Sequence, residues 1–292
     1  MNYSQNNIHE LHKSLYSNLK TVNTQQEAWW ILEHIIGKKR SELLAQKNIS
    51  LTTEEQSILT ECVRQITIEH KPLQYILGSV PFCDLEIKVE PPILIPRPET
   101  EEWCTWLIDQ LKAYSNQNLQ ILDLCCGTGC ISLALAKALP KSTVIGIDIN
   151  TQAIALSEKN KLKNKIENIK FIQSDLYENI PEKSRFDLIV SNPPYIREAE
   201  YEKLEKSVTD WEDKSALVAD ENGLEFYKEI IEGAHLYLKD DSSISSRIVL
   251  EFGLDQAEQI KNSLLEKQFD SIEIHRDAMG KERWVSANKT QP

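Results

Sequence analysis

The chain has 292 residues, which is enough for one large domain or two ordinary ones. Its 33 Lys and Arg residues against 45 Asp and Glu residues give a net charge of −12, which argues against a nucleic-acid partner because phosphate binding requires a basic surface. Apolar residues make up 41% of the chain, no apolar run approaches the roughly 20 residues of a membrane span, and the polar N-terminus lacks a signal-peptide pattern. We therefore expect a folded cytoplasmic protein.

The six cysteines predict neither a disulfide scaffold nor a metal site. Six is few for a chain of this length, and no His or second Cys pair stands at zinc-ligand spacing near Cys125, Cys126 and Cys130. We expect small, buried, free thiols in a reducing compartment.

Residues 1–75 have the pattern of helices only. Apolar residues recur at helical spacing over 8–19 and over 28–36. Thr53 with Gln56 matches the capping box of a further helix. We predict a small helical domain over this range.

Residues 76–90 predict a short β-hairpin that links two domains. Leu85, Ile87 and Val89 alternate with charged residues, as in a half-buried strand, and Gly and Pro residues flank them. The second domain is then expected over 91–292.

Strands and helices alternate in this second domain, which predicts an α/β fold with a parallel sheet covered by helices. The last two strands follow each other directly, which predicts an antiparallel edge. The predicted strands are Gln120–Leu124, Thr143–Ile147, Ile169–Gln173, Phe186–Val190, Arg247–Glu251, Ser271–His275 and Arg283–Ser286. The predicted helices are Glu99–Leu111, Ile131–Leu139, Ala153–Lys163, Leu224–Leu238 and Gln256–Lys267.

Ligands of such a sheet bind beyond the carboxyl ends of its strands. The first strand is followed by Cys125-Cys126-Gly127-Thr128-Gly129, a turn of small residues that opens a helix and lets a ligand approach the backbone. Ser132 stands where the dinucleotide fingerprint has its third glycine, and no phosphate-loop pattern occurs. The turn therefore predicts a nucleoside ligand smaller than a dinucleotide.

Acidic residues end the next two strands. Asp148 lies 25 residues after Asp123, close to the spacing of about 20 residues at which a carboxylate binds a ribose diol. Asn150 and Thr151 stand closer to the start of the next helix, so helix capping explains Asp148 less well. Asp175 is equally compatible with a contact to an adenine edge and with a plain turn.

The fourth strand is followed by Asn192-Pro193-Pro194-Tyr195. Proline fixes φ and removes backbone donors, so the acceptors that remain are the Asn192 side-chain oxygen and the Pro193 carbonyl. Two acceptors and an aromatic ring suit a planar –NH₂ group, whose lone pair they would localise and aim at an electrophilic carbon. We predict that Asn192, Pro193 and Tyr195 are catalytic and that all four residues contact the substrate.

This set of strand ends resembles class I S-adenosylmethionine-dependent methyltransferases, and the Asn192–Tyr195 loop resembles the members that methylate planar nitrogens. The chain is also similar to the HemK/PrmC family, which methylates N5 of the glutamine in the Gly-Gly-Gln loop of peptide chain release factors. The stretches that carry this second resemblance are Pro72–Gly78, Leu94–Glu101, Ile121–Ile131, Ile189–Ile196, Ala216–Leu217 before Gly223, Glu251–Gly253 before Gln256, and Asp277–Arg283.

The resemblance implies a Rossmann-like methyltransferase sheet, S-adenosylmethionine as cofactor, and a helical N-terminal domain that helps to seat the release factor. The cofactor would lie over the Cys125–Gly129 turn, with its ribose on Asp148 and its adenine near Asp175 and Leu176, and Asn192 would also contact it. The mouth of the site would be lined by Arg97, Glu99 and Thr100.

Two positions depart from the family pattern. Cys125 stands where the family usually has glycine, so it requires a negative φ or tolerates mild strain. Asp213 follows Glu212 where the family usually has proline, which leaves the conformation of that loop open.

The alternatives are adenine-amino methylation of DNA or RNA, and a release-factor-binding module without activity. Residues 1–90 have 9 basic and 11 acidic side chains and residues 91–292 have 24 and 34, so neither part offers a basic surface for nucleic acid. Binding alone needs no clamp for an –NH₂ group, which argues against the inactive module.

Overall fold

The computed structural model describes residues 7–19, 25–46, 49–240, 244 and 247–290. The chain divides into two compact units. The first contains the described residues up to Gly78 together with Glu205–Trp211, and the second contains Ser79–Leu204 and the described residues from Glu212 onward. The return of the 205–211 segment to the helical unit carries no signal that we recognised in the sequence.

The first unit is helical and has an apolar core of its own, which includes the spaced residues predicted over 8–19. The helices of this unit are α1 (Ile8–Leu19), α2 (Gln25–Ile36), α3 (Arg40–Ala45), α4 (Thr53–Thr67), α5 (Leu73–Leu77) and α10 (Lys206–Thr209). The predicted capping box is wrong by one residue, because Thr52 is still extended and Thr53 already helical. The Thr52 hydroxyl accepts the Glu55 N–H at 3.1 Å, and the Glu55 carboxylate accepts the Thr52 N–H at 2.6 Å.

The second unit begins with the predicted hairpin, formed by β1 (Ser79–Phe82) and β2 (Leu85–Lys88). Its turn residues Cys83 and Asp84 have φ of +46° and +61°, which fits the backbone twist of a two-residue hairpin turn. The Asn160 side chain binds both the N–H and the carbonyl of Lys88, at 2.7 and 3.1 Å. These bonds fasten the hairpin to the helix that contains Asn160, within the second unit.

A seven-stranded sheet forms the centre of the second unit in its described part. Its strands are β3 (Gln120–Leu124), β4 (Thr143–Asp148), β5 (Ile169–Gln173), β6 (Leu188–Ser191), β7 (Arg247–Glu251), β8 (Phe269–Arg276) and β9 (Glu282–Lys289). The spatial order is β5-β4-β3-β6-β7-β9-β8, with the first five strands parallel and β9 antiparallel to both of its neighbours. This confirms the predicted α/β class and its antiparallel edge, although β8 and β9 are longer than predicted.

The longer helices of the second unit pack against this sheet, and short helices lie in its connecting loops. They are α6 (Pro98–Leu111), α7 (Cys130–Ala138), α8 (Thr151–Asn164), α9 (Glu198–Tyr201), α11 (Asp220–Gly223), α12 (Glu225–Tyr237) and α13 (Ala257–Glu266), with single 3₁₀ turns at Lys112–Tyr114 and Lys214–Ala216. The main core lies between the sheet and these helices and is formed by Leu, Ile, Val and aromatic side chains. The short central strand β3 is buried at four of its five positions, as expected for a parallel strand covered on both faces.

Candidate active site

The site is built where four parallel strands end side by side. The register pairs Leu124 of β3 with Ile147 of β4 and Ser191 of β6, and it pairs Ser191 with Leu250 of β7. Residues that follow these positions therefore share one edge of the sheet. The edge brings together the Cys125 turn, Asp148 and Asn192, as predicted, and adds Glu251 to them.

Cys125 adopts a left-handed conformation, with φ of +59°. The sequence left two possibilities for Cys125, a negative φ or mild strain. The negative φ is wrong, because the Cys125 backbone adopts a conformation that favours glycine. The adjacent Cys126 N–H donates to the Ile147 carbonyl at 2.8 Å, which ties the turn to β4 and holds this backbone path. Burial raises the pKa of the Cys125 thiol, so the side chain is a neutral packing group and not a nucleophile.

The two glycines of the turn have different requirements. Gly127 has φ of +53° and open space where a Cβ would stand. Gly129 has φ of +78°, and a Cβ there would lie 2.7 Å from Cζ of Phe171 and 2.9 Å from Cβ of Ser157. Gly129 is needed for packing as well as for φ, whereas Gly127 leaves the turn accessible at the sheet edge.

Asp148 braces this turn from the end of β4. Its Oδ2 accepts the Gly127 N–H at 2.8 Å, and its Oδ1 accepts the Asn150 N–H at 2.9 Å. Asn150 itself caps α8 by accepting the Gln152 N–H at 2.8 Å, so Asp148 is not the cap. Burial raises the pKa of Asp148, and each carboxylate oxygen keeps a free lone pair for a further donor.

Asp123 is a second carboxyl group at this place and is completely buried. Its Oδ2 accepts the Ser132 N–H at 3.0 Å and the Ser132 hydroxyl. Its Oδ1 has no partner among the described residues. Burial raises the pKa of Asp123 to about 7. A buried acceptor without a partner fits a donor supplied by a ligand at the turn.

The end of β5 places Leu176 and Asp175 differently. Leu176 is buried in the main core, whereas Asp175 is exposed and its carbonyl accepts the Glu178 N–H at 2.9 Å. The Ser174 N–H donates to the Asp148 carbonyl at 3.0 Å, so this segment lies next to the end of β4. The hydrogen bond of the Asp175 carbonyl is that of a turn, which is one of the two roles predicted for this residue.

The proline loop leaves β6 with Asn192 half-buried and Pro193 and Pro194 buried. The Asn192 Nδ2 donates to the Thr100 Oγ1 at 3.2 Å, while its Oδ1 accepts no bond from the described part of the chain. The Tyr195 N–H donates to the Leu217 carbonyl at 3.1 Å. The side-chain oxygen of Asn192 thus remains available as an acceptor.

A buried acidic residue that we did not predict stands behind Asn192. Glu251 ends β7 and is 2% exposed, and its Oε2 accepts from the Thr100 hydroxyl and from the Trp103 Nε1–H, both at 2.7 Å. Burial raises the pKa of Glu251 to about 7. The signal in the sequence was its position, because Glu251 ends the fifth strand as Asp148 ends the second.

Tyr195 is held by two further residues without an assigned role in the sequence analysis. The Gln256 Nε2 donates to the Tyr195 carbonyl at 3.0 Å, and the Gln256 Oε1 accepts the Gly253 N–H at 2.9 Å. A Cβ on Gly253 would lie 2.8 Å from Cδ2 of Tyr195, so this glycine makes room for the ring.

A cavity of about 220 Å³ opens beside this loop and is lined by Arg97, Glu99, Tyr195, Glu251 and Arg283. Both arginines of the cavity form ion pairs with carboxylates that do not line it. Arg97 pairs with the buried Glu212, and the Arg283 Nε donates to the Asp277 carboxylate at 3.0 Å.

The loop that the sequence left open at Glu212 and Asp213 is fixed by these and neighbouring contacts. The Asp213 N–H donates to the Pro92 carbonyl at 2.8 Å, and its Oδ1 accepts the Ser215 N–H at 3.0 Å. Asp213 therefore caps a short turn where proline was expected.

The described residues contain neither a metal-binding cluster nor a membrane-spanning helix. No group of three or more His, Cys, Asp or Glu side chains within 7–19, 25–46, 49–240, 244 and 247–290 could hold a metal ion. Over the same ranges, no helix has the length and apolar character needed to cross a membrane.

Comparison with known proteins adds independent evidence. Residues 10–78 match the family model described as the PrmC N-terminal domain, and residues 103–210 match the methyltransferase small domain. A release factor glutamine methyltransferase of Thermodesulfovibrio yellowstonii is 35% identical over 266 residues, which are 91% of this chain and 93% of that protein. One of Flavobacterium psychrophilum is 37% identical over 88% of this chain and 89% of that protein.

A solved structure shows the same fold. The methyltransferase from Pyrococcus furiosus superposes with a TM-score of 0.51 at 14% identity, over 82% of this chain and 99% of that one. The fold similarity agrees with the sequence similarity along nearly the whole chain. The chain belongs to the family of release factor glutamine methyltransferases.

Proposed function

We propose that the protein transfers a methyl group from S-adenosylmethionine to the side-chain nitrogen N5 of a glutamine in a peptide chain release factor. The observation that carries this proposal is the geometry of Asn192, which donates its Nδ2–H to Thr100 and keeps its Oδ1 free of the described protein donors. An acceptor held in this way suits a substrate –NH₂ group.

The glycine turn and the two carboxyl groups beside it fit the cofactor. The ribose diol has hydroxyl donors, and Asp148 offers spare carboxylate lone pairs at the strand end. The ammonium group of the cofactor is a donor, and it could bind the buried Asp123 Oδ1, an acceptor without a partner in the described residues. We assign cofactor contacts to Cys125, Cys126, Gly127, Thr128, Gly129, Asp148, Leu176 and Asn192. When bound, S-adenosylmethionine supplies an electrophilic methyl group on a sulfonium.

The proline loop would hold the glutamine amide. Asn192 Oδ1 and the Pro193 carbonyl accept its two hydrogens, and Tyr195 packs on the amide plane. Because both hydrogens are bound, the nitrogen lone pair is turned toward the methyl group, and catalysis proceeds by orientation and charge stabilisation. No base needs to remove a proton before transfer, since an amide nitrogen becomes strongly acidic once it is alkylated.

The rigidity of this loop supports the proposal. Pro193 and Pro194 are buried, and the Tyr195 carbonyl is fixed by Gln256. Rigid acceptors lose little entropy when substrate binds, so more of the interaction free energy lowers the barrier.

We further assign the helical unit to recognition of the release factor. Residues 10–78, which include Pro72–Gly78, match the N-terminal domain of the family, and this domain lies outside the methyltransferase sheet. A substrate that takes part in translation also supports action in the cytoplasm.

The test is a transfer assay with a methyl-labelled cofactor. Purified protein is incubated with a peptide chain release factor, with the same factor carrying Gln→Ala in its Gly-Gly-Gln loop, or with adenine-containing DNA or RNA. We expect label in the unmodified factor only. Label in the nucleic acid would support adenine methylation, and equal label in the Gln→Ala factor would refute the assigned acceptor.

A further inference from the structure

A chain of hydrogen bonds runs from Asn192 into the core. The Asn192 Nδ2 lies 3.2 Å from the Thr100 Oγ1, which lies 2.7 Å from the Glu251 Oε2. The Trp103 Nε1 lies 2.7 Å from the same Oε2. Thr100 and Glu251 are each 2% exposed, so bulk water does not compete for these groups.

The direction of this chain is set at its buried end. The indole N–H of Trp103 can only donate, and an ionised carboxylate can only accept. Glu251 therefore takes the single hydroxyl hydrogen of Thr100. The oxygen of Thr100 is then left to accept, so it binds the –NH₂ side of the Asn192 amide and not the oxygen side.

We propose that Glu251 is a positioning residue that acts through Thr100 to fix which way round the Asn192 amide stands. With the nitrogen bound to Thr100, the oxygen is presented for substrate. An amide turned by 180° would present an –NH₂ group to another –NH₂ group and could not hold it. This inference rests on the proposed function, because it assigns to Asn192 the task of accepting the substrate amide.

The surroundings of Glu251 let its carboxyl ionise as the pH rises through about 7. Burial raises the pKa of its carboxyl to about 7, although the hydrogen bonds from Trp103 and Thr100 lower it; Glu99 raises it further and Arg283 lowers it. Tyr195 and Tyr227 also face it, and burial raises the pKa of both phenols, so they are neutral. The Tyr227 hydroxyl donates to the Glu251 backbone carbonyl at 2.8 Å and fixes the residue itself.

The first test removes the hydroxyl and then restores it. Thr100→Val keeps the shape of the side chain, and we expect kcat for methylation of the release factor to fall about tenfold, since one orienting hydrogen bond is lost. The KM for the factor and the Kd for the cofactor should stay within about twofold. Thr100→Ser should recover most of kcat. Thr105→Val is the matched control, because Thr105 lies on the same helix α6 and its exposed hydroxyl binds Glu101 and Cys83 and no other described residue.

The outcomes separate this inference from the proposed function. A wild-type protein that does not label the release factor refutes the function. An active wild type with an equally active Thr100→Val variant refutes the relay alone. A Thr100→Ser variant as slow as Thr100→Val also refutes it, because packing and not the hydroxyl would then be responsible.

The second test uses the pH profile of Glu251→Gln. A protonated Glu251 can donate a hydrogen bond to Thr100, so the hydroxyl of Thr100 no longer has to donate to Glu251 and the orientation of the Asn192 amide is weakened. Wild-type kcat should therefore fall as the pH is lowered through about 7. Glutamine has no titrating proton, so the variant should lack this step between pH 6 and 8. An identical step in both proteins would overturn the assignment.

Discussion

The loops after β3 and β6 follow neighbouring strands and yet are built in opposite ways. The glycine turn has backbone N–H groups and left-handed residues, with φ of +59°, +53° and +78° at Cys125, Gly127 and Gly129. The proline loop has lost two N–H groups and presents acceptors. Each is braced by a carboxylate from a strand end, Asp148 for the first and Glu251 for the second.

Under the proposed function, this contrast would let one sheet edge bind two ligands. A turn with free backbone N–H groups and positive φ suits a close-fitting ligand that carries a carboxylate, whereas a rigid loop of acceptors suits an uncharged –NH₂ group. Five changes test this division, in decreasing order of expected effect.

Asn192→Ala should almost abolish methyl transfer. It removes an acceptor from the proline loop alone, and loss of one preorganised polar contact at the reacting group costs roughly 100-fold or more in kcat. Cofactor affinity should remain within a few-fold of wild type by calorimetry. Asn118→Ala, at an exposed position before β3, is the control. Near wild-type turnover in Asn192→Ala would remove the mechanism.

Gly129→Ala should destabilise the fold by about 2–4 kcal/mol, because the new Cβ meets Phe171 and φ is left-handed. Gly127→Ala is the matched variant, since its φ is also positive but its Cβ position is open, and about 1–2 kcal/mol is expected there. Urea denaturation measures both free energies of unfolding. Equal losses would show that backbone strain alone is responsible.

Asp148→Ala should weaken cofactor binding about 10- to 100-fold, because hydrogen bonds to a charged acceptor are lost and the Gly127 N–H loses its partner. Calorimetry measures the Kd directly. Asp109→Ala, which removes only an exposed carboxylate paired with Lys112, should leave it unchanged. An unaltered Kd in Asp148→Ala refutes the ribose role.

The stability of the protein without ligand should rise as the pH falls from about 7 toward 5. Asp123 and Glu251 have folded pKa values of about 7, above their unfolded values, so the folded state binds more protons in this window. Each contributes up to about 1.4 kcal/mol per pH unit. Glu251→Gln and Asp123→Asn should each flatten the dependence measured by urea denaturation, and a slope unchanged in both would contradict the shifts.

Cys125→Gly should change the free energy of unfolding by less than about 1 kcal/mol, because relief of the left-handed strain offsets the loss of a packed thiol and the greater backbone entropy of glycine. Cys125→Val should cost about 2 kcal/mol or more, since a β-branched side chain fits φ of +59° poorly. A tolerated valine would mean that this position imposes no backbone requirement.

Local pattern was sufficient for most of the fold. The strand before the glycine turn and the one before Asn192 end where predicted or within one residue, because short apolar runs bounded by turn residues have few alternatives. The capping box was displaced to Thr52 because two adjacent threonines offer the same chemistry and only the backbone angles choose between them.

The contacts that hold Asn192 and Tyr195 in place could not be predicted from the sequence, because they join segments far apart in the chain. Glu251 meets Thr100 across 151 residues, and Gln256 meets Tyr195 across 61. No local periodicity encodes such pairs, since they arise only when the parallel strands are set in register.

The sequence by itself determined the family, the α/β alternation and the two loops whose composition differs so sharply, because these depend on neighbouring residues and on motifs. Only the tertiary structure decided that Cys125 is left-handed and that Glu251 stands behind Asn192. Both follow from strand pairing: it imposes the backbone path after β3, and it brings the end of β7 beside the end of β6 in a buried place where a carboxylate must be paired.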